Sequence, residues 1–447
     1  MQVGDRLDPA ALIGQRWFAA PTKPITEIVI EERFDFPGGG ALAFLRVGVD
    51  GGPALLRSLP IASADGLNPW ASLLRIAVNG HESTGRSGSR LYGHAPPRPI
   101  ALPGSKVVPL GRDQSHTSVV IDDAVVLKLY RALVPGTNPE TELNDDLAWM
   151  GSKEIPTFRG SIHVVLAGAH DAIAIAFAQD LVSDADDAFE TFAERLAAWI
   201  RAGAPQRALP SLTTDAGAIG VATASLHASL AHLREQARSP RPADATDIEA
   251  WRRGGVEAHR GALLALESAD PARARWLADH GDAVDRALAD LRPTGTLQRI
   301  HADLHLGQLL RSGDRFLFGD LEGDPLRPTE ERRRLDTPLR DLASMLRSFD
   351  HVARSGMRRS GVPIAEIVDG SSAAEQAIDA WLTAMREQFL GAYEAEAAAR
   401  ELEVDIDRAL LRALEVEKEL YEFGYAATYL PAWMYAPSAG MRWLLDQ

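Results

Sequence analysis

Cysteine is absent from all 447 residues, so neither a disulfide nor thiolate chemistry can contribute to this protein. No apolar run free of charge is long enough to cross a bilayer. The opening MQVGDRLDPAALIGQRWF carries an early acid and lacks the basic-then-apolar order of an export leader. No membrane partner and a cytoplasmic location are therefore expected. Positive charge is also in deficit: 47 Lys and Arg face 62 Asp and Glu, a net charge of −15. That balance argues against nucleic-acid phosphates as a partner, while leaving enough cations for a local pocket. With 46% hydrophobic and 24% charged residues, the chain can bury a large core and should divide into two or three domains. Its oligomeric state leaves no readable trace.

Three regions follow from the patterning. Residues 1–95 hold short apolar bursts separated by Gly and Pro (ITEIVIEERFDF, ALAFLRVGVD, PALLRSLPIA, SLLRIAVNG), as a mostly β cap would. The proline-rich APPRPIALP then suggests a stiff linker. Residues 96–182 read as a sheet with one helix: SVVIDDAVVLKLYR as a hairpin turning at Asp122 and Asp123, a helix capped by Asn138 with Pro139 in its first turn, and the strands IHVVLAG and AIAIAFAQDL. Helical periodicity dominates residues 183–447.

Within that helical region, QRIHADLHLGQLLRSGDRFLFGDLEG places His301, Asp303, Gln308 and Asp320 in the H-x-D-x-x-x-x-N…D layout of protein kinases and their relatives, with glutamine where asparagine is usual. Phosphoryl transfer needs a carboxylate to orient and deprotonate a hydroxyl, and hard oxygen ligands for Mg²⁺ close by. Asp303 suits the first task, and Gln308 and Asp320 suit the second. Lys128 ends the strand VVLK, where a kinase places the lysine that pairs with ATP phosphates and with a glutamate on the next helix. Glu140 and Glu142 both fall in that helix's first turn, and either could be the partner. The turn from Gly111 to Thr117 could meet phosphate oxygens through its backbone N–H groups and the Ser115 and Thr117 hydroxyls, although it has one glycine rather than three. Asp336 reads as the N-cap of the helix carrying Arg340 and Asp341, and Arg332, Arg333 and Arg334 as a solvated, salt-bridged cluster.

The runs HADLHLGQLL…GDLEGDP and PLRDLASMLRSFDH, with QRWFAAPTK, VVLKLYRALVPGTNPETEL and EVEKELYEFGYAATYL, resemble the actinobacterial maltokinase branch of aminoglycoside-phosphotransferase-like kinases. Gln298-x-x-His301-x-Asp303-x-His305-x-x-Gln308 is similar to the motif of their glucosamine kinase relatives. The resemblance covers nearly the whole chain. It implies an α+β, bilobal eukaryotic-protein-kinase-like (aminoglycoside phosphotransferase-like) fold with an N-terminal β cap. It also implies ATP as phosphoryl donor, Glu142 as the glutamate of the NPxxE motif, and adenine contacts from the backbone of Gln179 to Leu181.

A sugar acceptor calls for carboxylates or amides and an aromatic face, and an amino group adds a demand for a carboxylate. Asp303, His305, Glu322, Glu417, Trp433 and Tyr435 are the candidates, although helical spacing of aromatics is also what core packing produces. The implied reaction is phosphorylation of an amino sugar, glucosamine to glucosamine 6-phosphate. Maltose 1-kinase, an aminoglycoside-type phosphotransferase and a non-catalytic nucleotide-binding protein are the alternatives.

Overall fold

The computed structural model describes residues 2–13, 18, 24–95, 106–111, 116–234, 239–291, 295–324 and 327–446. Contacts divide the chain into two compact units, Met1–Ser183 and Asp184–Gln447.

The first unit is built from sheets. β-branched and aromatic residues alternate with polar ones along Ile25–Asp35, and the strands Ala41–Val49 and Leu55–Ile61 follow it as an antiparallel meander, which Ala132–Leu133 extends at its edge. A second sheet has the order Glu82–Thr84, Arg90–His94, Phe158–Val165, Ile173–Asp180, Val125–Tyr130, His116–Ile121 and Val107–Pro109. Strands from the first 95 residues and from the following stretch thus share one sheet. SLLRIAVNG, expected among the short β bursts, is instead part of the helix Trp70–Asn79, which lies against the sheet so closely that a Cβ on Gly160 (φ +128°) would come within 2.3 Å of the Ala77 carbonyl oxygen. Glycine is required there for both reasons.

The second unit is helical. Leu209–Leu230 packs on Glu375–Ala399, Ala245–Ala269 on Arg408–Tyr429, and Ala188–Arg201 on Pro338–Ser360. Pro338–Ser360 is the central helix, buried on nearly every face although its sequence carries Asp341, Arg347, Asp350 and Arg354. Those charges are tolerable because they are paired: Arg354 with Asp350 at 3.1 Å and Glu375 at 3.0 Å, and Arg347 with Glu415 at 3.0 Å. The cap of this helix is Thr337, whose hydroxyl accepts from the Leu339 N–H, with Pro338 in the first position. This corrects the expectation of Asp336, whose carboxylate instead accepts from the Thr337 N–H and pairs with Arg340. A small sheet of Asp186–Asp187, Leu309–Ser312 and Arg315–Phe318 carries the kinase-type motif. Among the described residues, no helix is long and apolar enough to cross a membrane.

Candidate active site

In the second unit the motif folds as a loop followed by a hairpin. Leu309 pairs with Phe318 across the hairpin, and the Gly319 N–H donates to the Gln308 carbonyl, so the residues flanking the two strands are brought side by side. Gln308 Nε2 lies 3.4 Å from Asp320 Oδ2, and Asp320 has a left-handed backbone (φ 54°). The two side chains expected to share a metal are therefore adjacent, and the amide can turn to present its oxygen.

Asp303 follows Ala302, another left-handed residue (φ 68°). A single buried carboxylate holds this turn: Asp341 accepts from the His301 N–H at 2.7 Å and from the Ala302 N–H at 2.9 Å. The His301 ring is fixed by its Nε2 contact with the Gly319 carbonyl at 3.0 Å, which ties the loop to the residue before Asp320. His305 caps the short helical turn Leu306–Gln308 through Nδ1, which accepts from the Gly307 N–H, and its Nε2 lies 3.9 Å from the Asp303 carboxylate. Burial lowers the His305 pKa, against the opposing pull of Asp303, so the ring stays neutral below the usual histidine range.

The nearest cation to Asp303 in this unit comes from far along the chain. Lys418 Nζ lies 3.6 Å from Asp303 Oδ1 and 3.0 Å from Glu422 Oε1, over the ring of Tyr421 at 4.8 Å. Burial opposes its charge, but Glu422, Asp303 and Asp324 outweigh that and raise its pKa above the lysine range. The Tyr421 hydroxyl hydrogen-bonds Asp324, and burial together with that carboxylate raises the phenol's pKa. Sequence reasoning noted Tyr421 among the aromatics available to an acceptor but missed Lys418 and Glu422, although the helix carrying them was evident. The recurring acids and tyrosines of KELYEFGY were the available signal.

Other expected contacts are engaged elsewhere. Glu417 is buried against Arg340 at 3.1 Å. Trp433 packs with Phe189, His351 and Tyr435, and Tyr435 is buried beneath the Arg358 guanidinium; both belong to the packing of the C-terminal helices. Glu322 lies 3.6 Å from Arg332, which also donates to the Glu322 carbonyl. Arg332 is thus a largely buried brace rather than part of a solvated cluster.

In the first unit, Lys128 Nζ meets the Glu140 carboxylate at 2.9 Å, both side chains buried, and the Tyr130 hydroxyl donates to the same carboxylate at 2.6 Å. This corrects the expected pairing of Lys128 with Glu142. Strand alternation turns Lys128 and Tyr130 to one face, and Glu140, buried in the first turn of Pro139–Trp149, is the acid that meets them. Asn138 caps that helix as expected. Thr117 lies in the strand His116–Ile121, paired with Leu129, whereas Ser115 is outside the described residues. Gln179 pairs with Val126 and Phe158, and the Leu181 N–H donates to the Ala124 carbonyl at 2.7 Å. An adenine contact through that N–H would have to displace an existing hydrogen bond.

No family model matches the chain. The fold is nevertheless that of solved structures: one of a glucosamine kinase in complex with glucosamine, ADP and inorganic phosphate superposes with TM-score 0.70 at 22% identity, covering 98% of this chain and 99% of that one. A second glucosamine kinase crystal form gives TM-score 0.71 over 96% and 98%. The chain accordingly has the α+β fold of those glucosamine kinase structures, with a sheet-rich N-terminal part and a helical C-terminal part. It is 31% identical over 339 residues to a glucosamine kinase of Mycolicibacterium smegmatis, covering 76% of this chain and 79% of that protein. A glucosamine kinase of Streptacidiphilus jiangxiensis is 29% identical over 75% and 72%. The chain belongs to the glucosamine kinase family.

Proposed function

We propose that this protein transfers the γ-phosphoryl group of ATP to glucosamine, with the 6-hydroxyl as acceptor. The observation that carries the reading is the Asp341-held turn that carries Asp303, followed by the hairpin that brings Gln308 beside Asp320, in a chain whose curated relatives are glucosamine kinases. Asp303 orients the acceptor hydroxyl and takes up its proton as the oxygen attacks phosphorus, while ADP leaves. Lys128, held by Glu140, pairs with the ATP phosphates. Gln308 and Asp320 are the residues that would hold Mg²⁺: both offer hard oxygen donors and they are already adjacent. When bound, the ion neutralises phosphate charge.

Three carboxylates, Asp303, Asp324 and Glu422, raise the pKa of the one ammonium of Lys418. With Arg327, 3.5 Å from Asp324, counted as a second cation, the group still carries net negative charge, which suits a cationic acceptor such as protonated glucosamine better than a neutral disaccharide. Asp303 and Glu422 supply the acceptor contacts, with His305 beside Asp303. We place the reaction in the cytoplasm, where ATP is available.

The test is a panel of acceptors with ATP and Mg²⁺. Turnover of glucosamine with little of maltose or aminoglycosides is expected; preference for maltose would overturn the assignment. Asp303→Asn is expected to reduce kcat by roughly 10²–10⁴-fold with KM for ATP little changed. A variant retaining full activity would remove Asp303 from its role, whereas a parent protein with no turnover of any acceptor would favour a non-catalytic nucleotide-binding protein.

A further inference from the structure

The helix Arg408–Tyr429 brings Lys418 and Glu422 to Asp303, so its rotation about its own axis decides where these side chains stand. A rotation of about 10° moves a side-chain tip that lies roughly 5–6 Å from the axis by about 1 Å. Something must hold that angle. The adjoining residue, Glu419, is fully buried and faces the central helix Pro338–Ser360, where His351 Nε2 lies 3.1 and 3.2 Å from its two carboxylate oxygens. The imidazole is itself buried, and its plane stands edge-on to the Trp433 ring, at 88° with centroids 6.1 Å apart.

The surroundings are shaped to the carboxylate. On another side the C-terminal helix Tyr435–Leu445 presents Gly440, where a Cβ would overlap Glu419 Oε1 and lie 3.0 Å from Asp350 Oδ1. A larger residue there would push the carboxylate off its partner. Burial opposes charge on His351, but Glu419, Glu422 and Asp350 outweigh it and raise its pKa. Nε2 therefore carries its hydrogen toward Glu419, and the pair is neutral as a whole. One turn earlier Glu415 is anchored in the same way, by Arg347 at 3.0 Å and Arg386 at 2.7 Å. A single anchor leaves a helix free to swivel, whereas two on one face, four residues apart, fix its rotation.

We propose that His351 is a positioning residue for the acceptor: through Glu419 it sets the rotation of the helix Arg408–Tyr429 and so places Glu422 and Lys418 against the sugar at Asp303. It acts through Glu419 and does not itself touch the reacting atoms. The proposal rests on the reading of Glu422 as an acceptor contact. A buried pair of this kind specifies one geometry more than it stabilises it, because apolar residues of similar volume would fill the same space without direction.

His351→Leu combined with Glu419→Leu removes the pair and keeps the space filled. It is expected to raise KM for glucosamine about tenfold, with KM for ATP within about twofold of the parent and kcat lowered less than about threefold. His351→Gln, whose amide reaches the position of Nε2 and still donates, is expected to hold KM for glucosamine within about twofold of the parent. Gly440→Ala displaces the carboxylate from the opposite side and is expected to reproduce the rise. A merely structural pair would lower Tm and leave both KM values unchanged. That outcome in the double-leucine protein would overturn the proposal, as would an equal rise in KM for both substrates. If the double-leucine protein fails to fold, Gly440→Ala decides by the same criterion. Glu422→Gln separates the two levels. If it leaves KM for glucosamine unchanged, the acceptor reading falls and the positioning role with it; a rise there without one in the double-leucine protein overturns the positioning role alone.

Discussion

A β-strand turns every second side chain to one face, and that alternation decides which acid Lys128 meets. Lys128 and Tyr130 point together and converge on Glu140, the buried member of the first helical turn. Glu140→Gln is therefore expected to raise KM for ATP about tenfold, a larger effect than Glu142→Gln, measured by steady-state kinetics with ATP varied. At this scale the motif residues were legible because loop and hairpin are local: Gln308 reaches Asp320 across a four-residue-per-strand hairpin whose register the sequence spacing already implies. Lys418 was not legible. It approaches Asp303 from a helix more than a hundred residues downstream, and no local rule links a helix face to a loop that distant.

Helices in the second unit were readable from their apolar period, but their neighbours were not. Leu209–Leu230 and Glu375–Ala399 approach closely because Gly220 leaves room: a Cβ there would lie 2.3 Å from the Phe389 carbonyl oxygen and 3.0 Å from the Tyr393 nitrogen. Gly220→Ala should force the helices apart and destabilise the protein by about 1–3 kcal/mol, seen as a lower Tm. The central helix Pro338–Ser360 shows the opposite limit. Its four buried charges are tolerated because Glu375 and Glu415 arrive from other helices to pair with its arginines. Its cap moved by one residue, since Thr337 and Asp336 are both good N-caps and only the path of the chain chooses between them.

For the molecule as a whole, acid stability is expected to depend on His163. Burial, helped by His94 and opposed by Asp145, lowers its pKa from 6.5 to about 4. The unfolded chain binds a proton near 6.5 that the folded chain refuses until about 4, so stability is full above 6.5 and falls as pH drops through that window. The loss is of the order of 2 kcal/mol after solvent screening, and denaturant midpoints measured across the window should show it, flattened in His163→Gln. Strand membership also emerged only at this scale. Glu82–Thr84 and Arg90–His94 precede the proline-rich stretch, yet they pair into the sheet of the residues that follow it. By itself the sequence determined most element types, the helix Trp70–Asn79 excepted, with the kinase-type hairpin and the chemistry available at Asp303, Gln308 and Asp320, because periodicity and short spacings are local properties. Tertiary structure alone decided the partner of Lys128, the approach of Lys418 and the pairing of His351 with Glu419, because each depends on which distant helix or strand supplies the opposing charge or hydrogen bond.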